Sequence, residues 1–232
     1  MTTIAERLQS AYRQIAEECT KLGPSAANAQ LIAVSKTKPV SDILSAYAAG
    51  QRHFGENYPQ ELAEKVQQLS QYTELCWHFI GPLQSNKTRL VAEAASWCHS
   101  LDRVKIAERL SAQRPTNMPA LKVLLQVNIS QESSKAGITP EAILPLAKTV
   151  DALPGLELKG LMTIPAPSAQ QQVETAFASM QQLSKELQQH YPKATELSMG
   201  MSDDWQLALR YGATMIRLGT AIFGARNYER HE

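Results

Sequence analysis

Eight short apolar runs, spaced along the chain by amphipathic stretches, constrain the fold more than any other feature. They occupy residues 31–35, 53–55, 76–80, 97–101, 121–129, 156–162, 195–199 and 215–218, the second and fourth being short runs that include polar residues. Between them, residues 40–49, 58–69, 103–113, 141–150 and 168–190 carry apolar side chains at helical spacing. The last of these is rich in Gln yet keeps Val173, Phe177, Met180, Leu183 and Leu187 in period. Near-continuous apolar strands alternating with helices imply parallel strands joined by crossovers. Eight such units predict a closed (β/α)8 TIM barrel, with an open doubly wound sheet as the alternative. A further helix precedes the first strand. Thr2 and Thr3 offer caps, Ile4, Leu8, Ala11, Ile15 and Leu22 recur at helical spacing, and Gly23-Pro24 ends it. This helix is expected to cover the barrel bottom or one side. No Pro/Ser-rich linker divides residues 1–232, which predicts a single domain.

Charge and cysteine usage narrow the function classes. The chain carries 23 basic and 22 acidic side chains, a net charge of +1, with no run of like charges. A nucleic-acid partner would normally demand a basic excess gathered on one face, so none is expected. The three cysteines, Cys19, Cys76 and Cys98, form no CxxC pair, which fits a reducing cytosol and no disulfide framework. The first residues lack the apolar core of a signal peptide, and no apolar stretch approaches the ~20 residues that span a bilayer.

In a (β/α)8 barrel the chemistry lies at the C-terminal ends of the strands. The first run leads into Ser35-Lys36-Thr37-Lys38-Pro39. A lysine at a strand's C-terminal edge, partly desolvated by the barrel mouth, has a lowered amine pKa and is a nucleophile for carbonyl carbon. Taken alone, the segment fits a solvated loop lysine better than a nucleophile, and Lys38, beside Pro39, reads as such. The seventh run ends in Gly200-Met201-Ser202 before a helix expected from Asp203, and the eighth in Gly219-Thr220. Barrels often bind phosphate with these two loops, where unpaired N–H groups and a helix dipole meet. Gly219 allows close backbone approach, and Ser202 and Thr220 offer hydroxyls. The plainer reading is a cap at Ser202, favoured by Asp203 and Asp204, and a turn at Gly219. Arg217 lies inside the last run, on the same side of the strand as Gly219. An arginine facing a barrel interior needs an acceptor, either a structural ion pair or a bound ring or phosphate. His53, His78 and His99 each fall in a strand, but none has a second ligand at zinc spacing, so no metal site is expected. Tyr47 and Tyr58 read as packing residues. No GxSxG, GxGxxG or GxxxxGK[ST] sequence occurs.

Five segments in register resemble one family. AVSKTKP around Lys36, FGENY at 54–58, WHFIGPLQSNK at 77–87, SMGMSDD at 198–204 and RLGTAIFGAR at 217–226 are similar to the pyridoxal phosphate homeostasis proteins. That family is related to the N-terminal barrel of alanine racemase. The resemblance covers essentially the whole chain. It implies pyridoxal 5′-phosphate (PLP) as cofactor, with Lys36 as the Schiff-base lysine, Ser202, Gly219 and Thr220 as phosphate ligands, and Arg217 facing the pyridine nitrogen. Asn57 is implied as a further cofactor contact and Lys135 as a secondary one. Alanine racemase uses a second base from a separate C-terminal domain. The sequence runs only to Glu232, so that base is expected to be missing. The resemblance therefore implies a monomeric cytoplasmic protein that stores, buffers or delivers PLP, with PLP-dependent apoenzymes as partners and without robust turnover. An amino-acid racemase, a Schiff-base aldolase without PLP and an interaction scaffold are the alternatives.

Overall fold

The computed structural model describes residues 2–23, 29–130, 136–166 and 169–225. Helix α1 (Ile4–Leu22) comes first, and eight strands follow: β1 (Gln30–Val34), β2 (His53–Glu56), β3 (Cys76–Phe79), β4 (Trp97–Leu101), β5 (Leu121–Gln126), β6 (Leu156–Met162), β7 (Glu196–Ser198) and β8 (Met215–Leu218). All pair in parallel, in sequence order, and β8 closes onto β1. The closed (β/α)8 barrel excludes the open sheet. Helices α2 (Val40–Ala48), α3 (Pro59–Gln68), α4 (Thr88–Ala94), α5 (Val104–Gln113), α6 (Ile143–Asp151), α7 (Gln170–His190), α8 (Trp205–Arg210) and α9 (Thr220–Phe223) follow the strands in turn. None of the described helices is long and apolar enough to cross a membrane.

The core has two layers. The larger lies between strands and helices and holds residues such as Leu31, Phe54, Phe79, Leu125, Phe177 and Ile216. A smaller one, Ile32, Trp97, Leu124, Met162 and Met215, fills the barrel. Successive strand residues such as Leu31 and Ile32 thus go to opposite layers, as the two-residue period of a strand requires. Helix α1 packs on the barrel's side, against α2, α8 and α9. Thr3 caps it in a reciprocal box with Glu6, and Leu8, Ala11, Ile15 and Cys19 form its buried stripe.

Two of the boundaries that differ from the sequence reading have a traceable cause. The apolar run 121–129 stops being strand at Gln126, because the Asn128 and Ile138 amides donate to the Ile138 and Gln126 carbonyls and divert the chain. Helix α8 starts at Trp205, not Asp203. Asp204 is its cap residue, but the Asp204 carboxylate accepts the Met201 amide at 2.6 Å and so closes the preceding loop.

Candidate cofactor-binding site

The C-terminal ends of β1, β2, β7 and β8 bring the predicted residues to one barrel mouth. Lys36 occupies a turn just beyond β1 and is half-buried. Strand alternation places it in series with Ile32 and Val34, toward the barrel axis. Its neighbour Thr37 has φ 63°, the left-handed region that β-branched residues avoid. A buried polar cluster holds that turn. The Lys65 amine of α3 donates to the Ser35 carbonyl and to Glu56 at 2.8 Å and to Glu61 at 2.7 Å. Glu56 also accepts the Ser35 hydroxyl, and Glu61 accepts the Thr37 amide, both at 2.6 Å. Burial pushes the Glu56 carboxyl up, and the Lys65 charge pulls it back in part. Lys38 is not a free loop lysine: its amine donates to the carbonyls of Phe223, Gly224 and Ala225. The turn carrying Lys36 is therefore tied to α3 on one side and to the end of α9 on the other.

The strain at Thr37 gives a direct expectation. Glycine adopts this φ without penalty but orders at a greater entropic cost. Thr37→Gly should gain roughly 0.5–1 kcal/mol, read as a higher urea midpoint at unchanged m-value. An unchanged or lower midpoint would mean that the turn does not strain the threonine.

Arg217 is buried inside the barrel. Its guanidinium donates to the Ser198 hydroxyl at 2.6 Å and to the Thr163 carbonyl at 3.0 Å. Burial lowers its pKa to about 10, opposed by the charge of Asp204. No ion pair to Arg217 lies within 4.0 Å among the described residues, so of the two readings open at that position the structural salt bridge is not supported. Ser198 in turn meets His99 Nδ1, His99 Nε2 meets His78 Nδ1, and His78 Nε2 meets His53 Nδ1, each at 2.9 Å. Arginine only donates, so Ser198 accepts from Arg217 and has its own proton to give to His99 Nδ1. Every imidazole then carries its proton on Nε2, and one directed chain crosses the barrel. Burial holds His78 and His99 well below the ordinary histidine pKa, so both are neutral.

Loops after β7 and β8 adjoin. Ser202, Leu218 and Ala221 line one small cavity of about 210 Å³, whose outer wall is α1 with Arg7 and Ser10. Helix α9 begins its own bonding at the Ile222 amide, which donates to Gly219, so the amides of Thr220 and Ala221 have no partner within the helix. Ser202 and Thr220 are exposed and Gly219 is half-buried. Asn57 follows β2, and its side-chain carbonyl oxygen is buried with no hydrogen-bond partner among the described residues. An unpaired buried acceptor is costly unless a ligand supplies a donor. Lys135 lies outside the described residues. Sequence reading missed Glu56, Glu61, Lys65, Thr163 and Ser198, because their partners are distant in sequence; the (i, i+4) spacing of Glu61 and Lys65 was the one local signal.

Residues 7–227 match the family model "Alanine racemase, N-terminal domain". The pyridoxal phosphate homeostasis protein of Haemophilus influenzae is 54% identical over 231 residues, 97% of each chain. That of Vibrio cholerae is 50% identical over 236 residues, covering all of both chains. PipY of Synechococcus elongatus, solved with PLP bound, superposes with a TM-score of 0.82 at 41% identity, over 96% of this chain and 100% of that one. Alanine racemase of Corynebacterium glutamicum shares the fold, with a TM-score of 0.67 at 16% identity, and this chain covers 63% of it. The chain belongs to the pyridoxal phosphate homeostasis proteins, within the alanine racemase N-terminal domain family.

Proposed function

We propose that this protein binds PLP at the barrel mouth and serves its storage, buffering or delivery. The observation carrying most weight is the convergence, on one mouth, of Lys36, the Asn57 oxygen with no partner among the described residues, buried Arg217 and the first amides of α9, in a chain 41% identical to a relative solved with PLP. When bound, PLP supplies an electrophilic aldehyde carbon on an electron-withdrawing ring. Lys36 would hold it through its side-chain amine as a Schiff base. An incoming primary amine would take the place of the Lys36 amine on that carbon and free the lysine. Gly219, Thr220 and Ser202 would hold the phosphate through backbone amides and hydroxyls. Arg217, with donors left over after Ser198 and Thr163, would meet the ring nitrogen. A fixed cation there discourages protonation of that nitrogen, which weakens the ring as an electron sink. This favours carriage over racemisation. A cytoplasmic monomer passing cofactor to PLP-dependent apoenzymes completes the reading.

The test is an absorbance spectrum of wild type beside Lys36→Ala, each mixed with PLP and freed of excess. Wild type should keep a visible band that borohydride fixes to Lys36. Equal retention by the variant would place the cofactor on another lysine, and no retention by either would end the PLP reading. Loss of α-deuterium from labelled amino acids at enzyme-like rates would favour the racemase.

A further inference from the structure

The opposite end of the barrel carries a second constellation. His53 and Cys76 are the first residues of β2 and β3 and face each other in the ladder. Two residues on, the same strand face carries His78. Parallel pairing thus brings His53, 25 residues from His78 in sequence, beside the Cys76–His78 pair. One ligand atom from each, a ring nitrogen of His53 and of His78 and the Cys76 sulfur, lies within 4.8 Å of the others.

We propose that these three residues bind a divalent d-block cation of the zinc class, with its fourth position open to solvent or a small ligand. Tetrahedral bonds of about 2.05 Å to nitrogen and about 2.3 Å to sulfur put N···S near 3.6 Å and N···N near 3.3 Å. The Cys76–His78 separation is already 3.6 Å. The His53–His78 separation is 2.9 Å, so the metal needs a few tenths of an ångström of opening there. Thiolate with imidazole selects Zn2+ or Co2+ and rejects Mg2+ and Ca2+, which want oxygen. His53 and Cys76 are half-buried, which leaves an entry path, whereas His78 is fully buried. The His78 ring is fixed on its inner side, stacked on Trp97 at 5.6 Å between centroids and bonded to His99. Such an outer hydrogen bond is the usual support of a metal-bound histidine. Cys19 and Cys98 are buried, so Cys76 is the accessible thiol among the three.

Binding rearranges protons in a defined way. The metal displaces the Cys76 proton to solvent and takes the His78 Nε2 lone pair, so the His78 proton moves to Nδ1. His99 Nε2 then becomes the acceptor, the His99 proton moves to Nδ1, and the Ser198 hydroxyl accepts from both His99 and Arg217 and turns its own proton away. One element opposes the cation: Lys122, whose amine lies 5.2 Å from the Trp97 ring and acts electrostatically on His53, Cys76 and His78. Removing its charge should tighten binding several-fold.

The experiment titrates the full-length protein, free of PLP, with Co2+ and back-titrates with Zn2+. One cobalt per chain is expected, with a sulfur-to-cobalt charge-transfer band in the near ultraviolet that zinc abolishes. Cys76→Ser should lose the band, His53→Gln should weaken binding at least tenfold, and Lys122→Gln should strengthen it. In 15N spectra, zinc should move the His78 and His99 protons from Nε2 to Nδ1. A band retained in Cys76→Ser, or cobalt held by Cys76 with both imidazoles unchanged, would overturn the site. So would the absence of binding in both wild type and Lys122→Gln.

Discussion

Replacing Lys65 with methionine should cost about 3–5 kcal/mol of folding stability at neutral pH. The side chain is nearly sealed, and its amine is the cationic partner of Glu56, which is wholly buried. Without it the Glu56 charge has only the Ser35 hydroxyl, and one carboxylate oxygen already has no partner among the described residues. The pH dependence follows from the direction of the Glu56 shift. Burial raises its folded pKa above the unfolded value, and Lys65 is the main force pulling it back. In Lys65→Met the folded pKa rises further, so protonation rescues the fold. The deficit should be greatest at pH 7 and above and shrink as pH falls toward the ordinary carboxylate range near about 4. Urea curves at pH 7 and pH 5 check this, and an equal deficit at both would sink it. Lys65→Met combined with Glu56→Gln should recover much of the loss, since the buried charge goes with its partner. Because the same cluster grips Ser35 and Thr37, on either side of Lys36, the single variant should also retain less PLP.

What could be read from the sequence follows from what each feature depends on. The barrel was legible because parallel strands are buried on both faces and write themselves as apolar runs. Even the short runs at 53–55 and 97–101 were strands, although interior histidines interrupted the pattern. The end of β5 was not legible, since the Asn128–Ile138 bond that ends it joins positions with no common period. Lys36 and Arg217 could be placed because strand ends and alternation are local. Their supports could not. His53, His78, His99 and Ser198 are separated by 25, 21 and 99 residues, and only barrel closure makes them a chain. Lys65 looked like one more helix lysine until α3 laid it over Glu56.

The interior chain also bears on how a cation persists at Arg217. A buried guanidinium with no carboxylate in contact costs free energy, and here fixed dipoles, Ser198, the Thr163 carbonyl and a series of neutral imidazoles, share that cost with the more distant charge of Asp204. A carboxylate at the mouth would compete with an anionic ligand for the arginine. Dipoles leave its charge directed at whatever binds there, which suits the proposed cofactor site.

Gly81→Ala should lower stability by about 3 kcal/mol and cost PLP retention besides. Gly81 lies just beyond β3, against the backbone of Asn57. A Cβ there would overlap the Asn57 carbonyl oxygen and come within 2.7 Å of its carbonyl carbon and Cα. These are main-chain atoms, so no rotamer change relieves the overlap. The Ile80 amide bonds the Glu56 carbonyl at 2.9 Å, which holds the two strand ends together at that level. Either that bond stretches or Asn57 is pushed aside, and its unpaired oxygen moves with it. Asn57→Ala separates the two effects. It removes the polar atom without crowding, so it should lower PLP retention while keeping near-normal stability. Denaturation and cofactor retention measured on both variants decide the matter. If Gly81→Ala kept wild-type stability, the contact would be looser than the geometry states; if Asn57→Ala kept full retention, Asn57 would be a structural residue and not a cofactor contact.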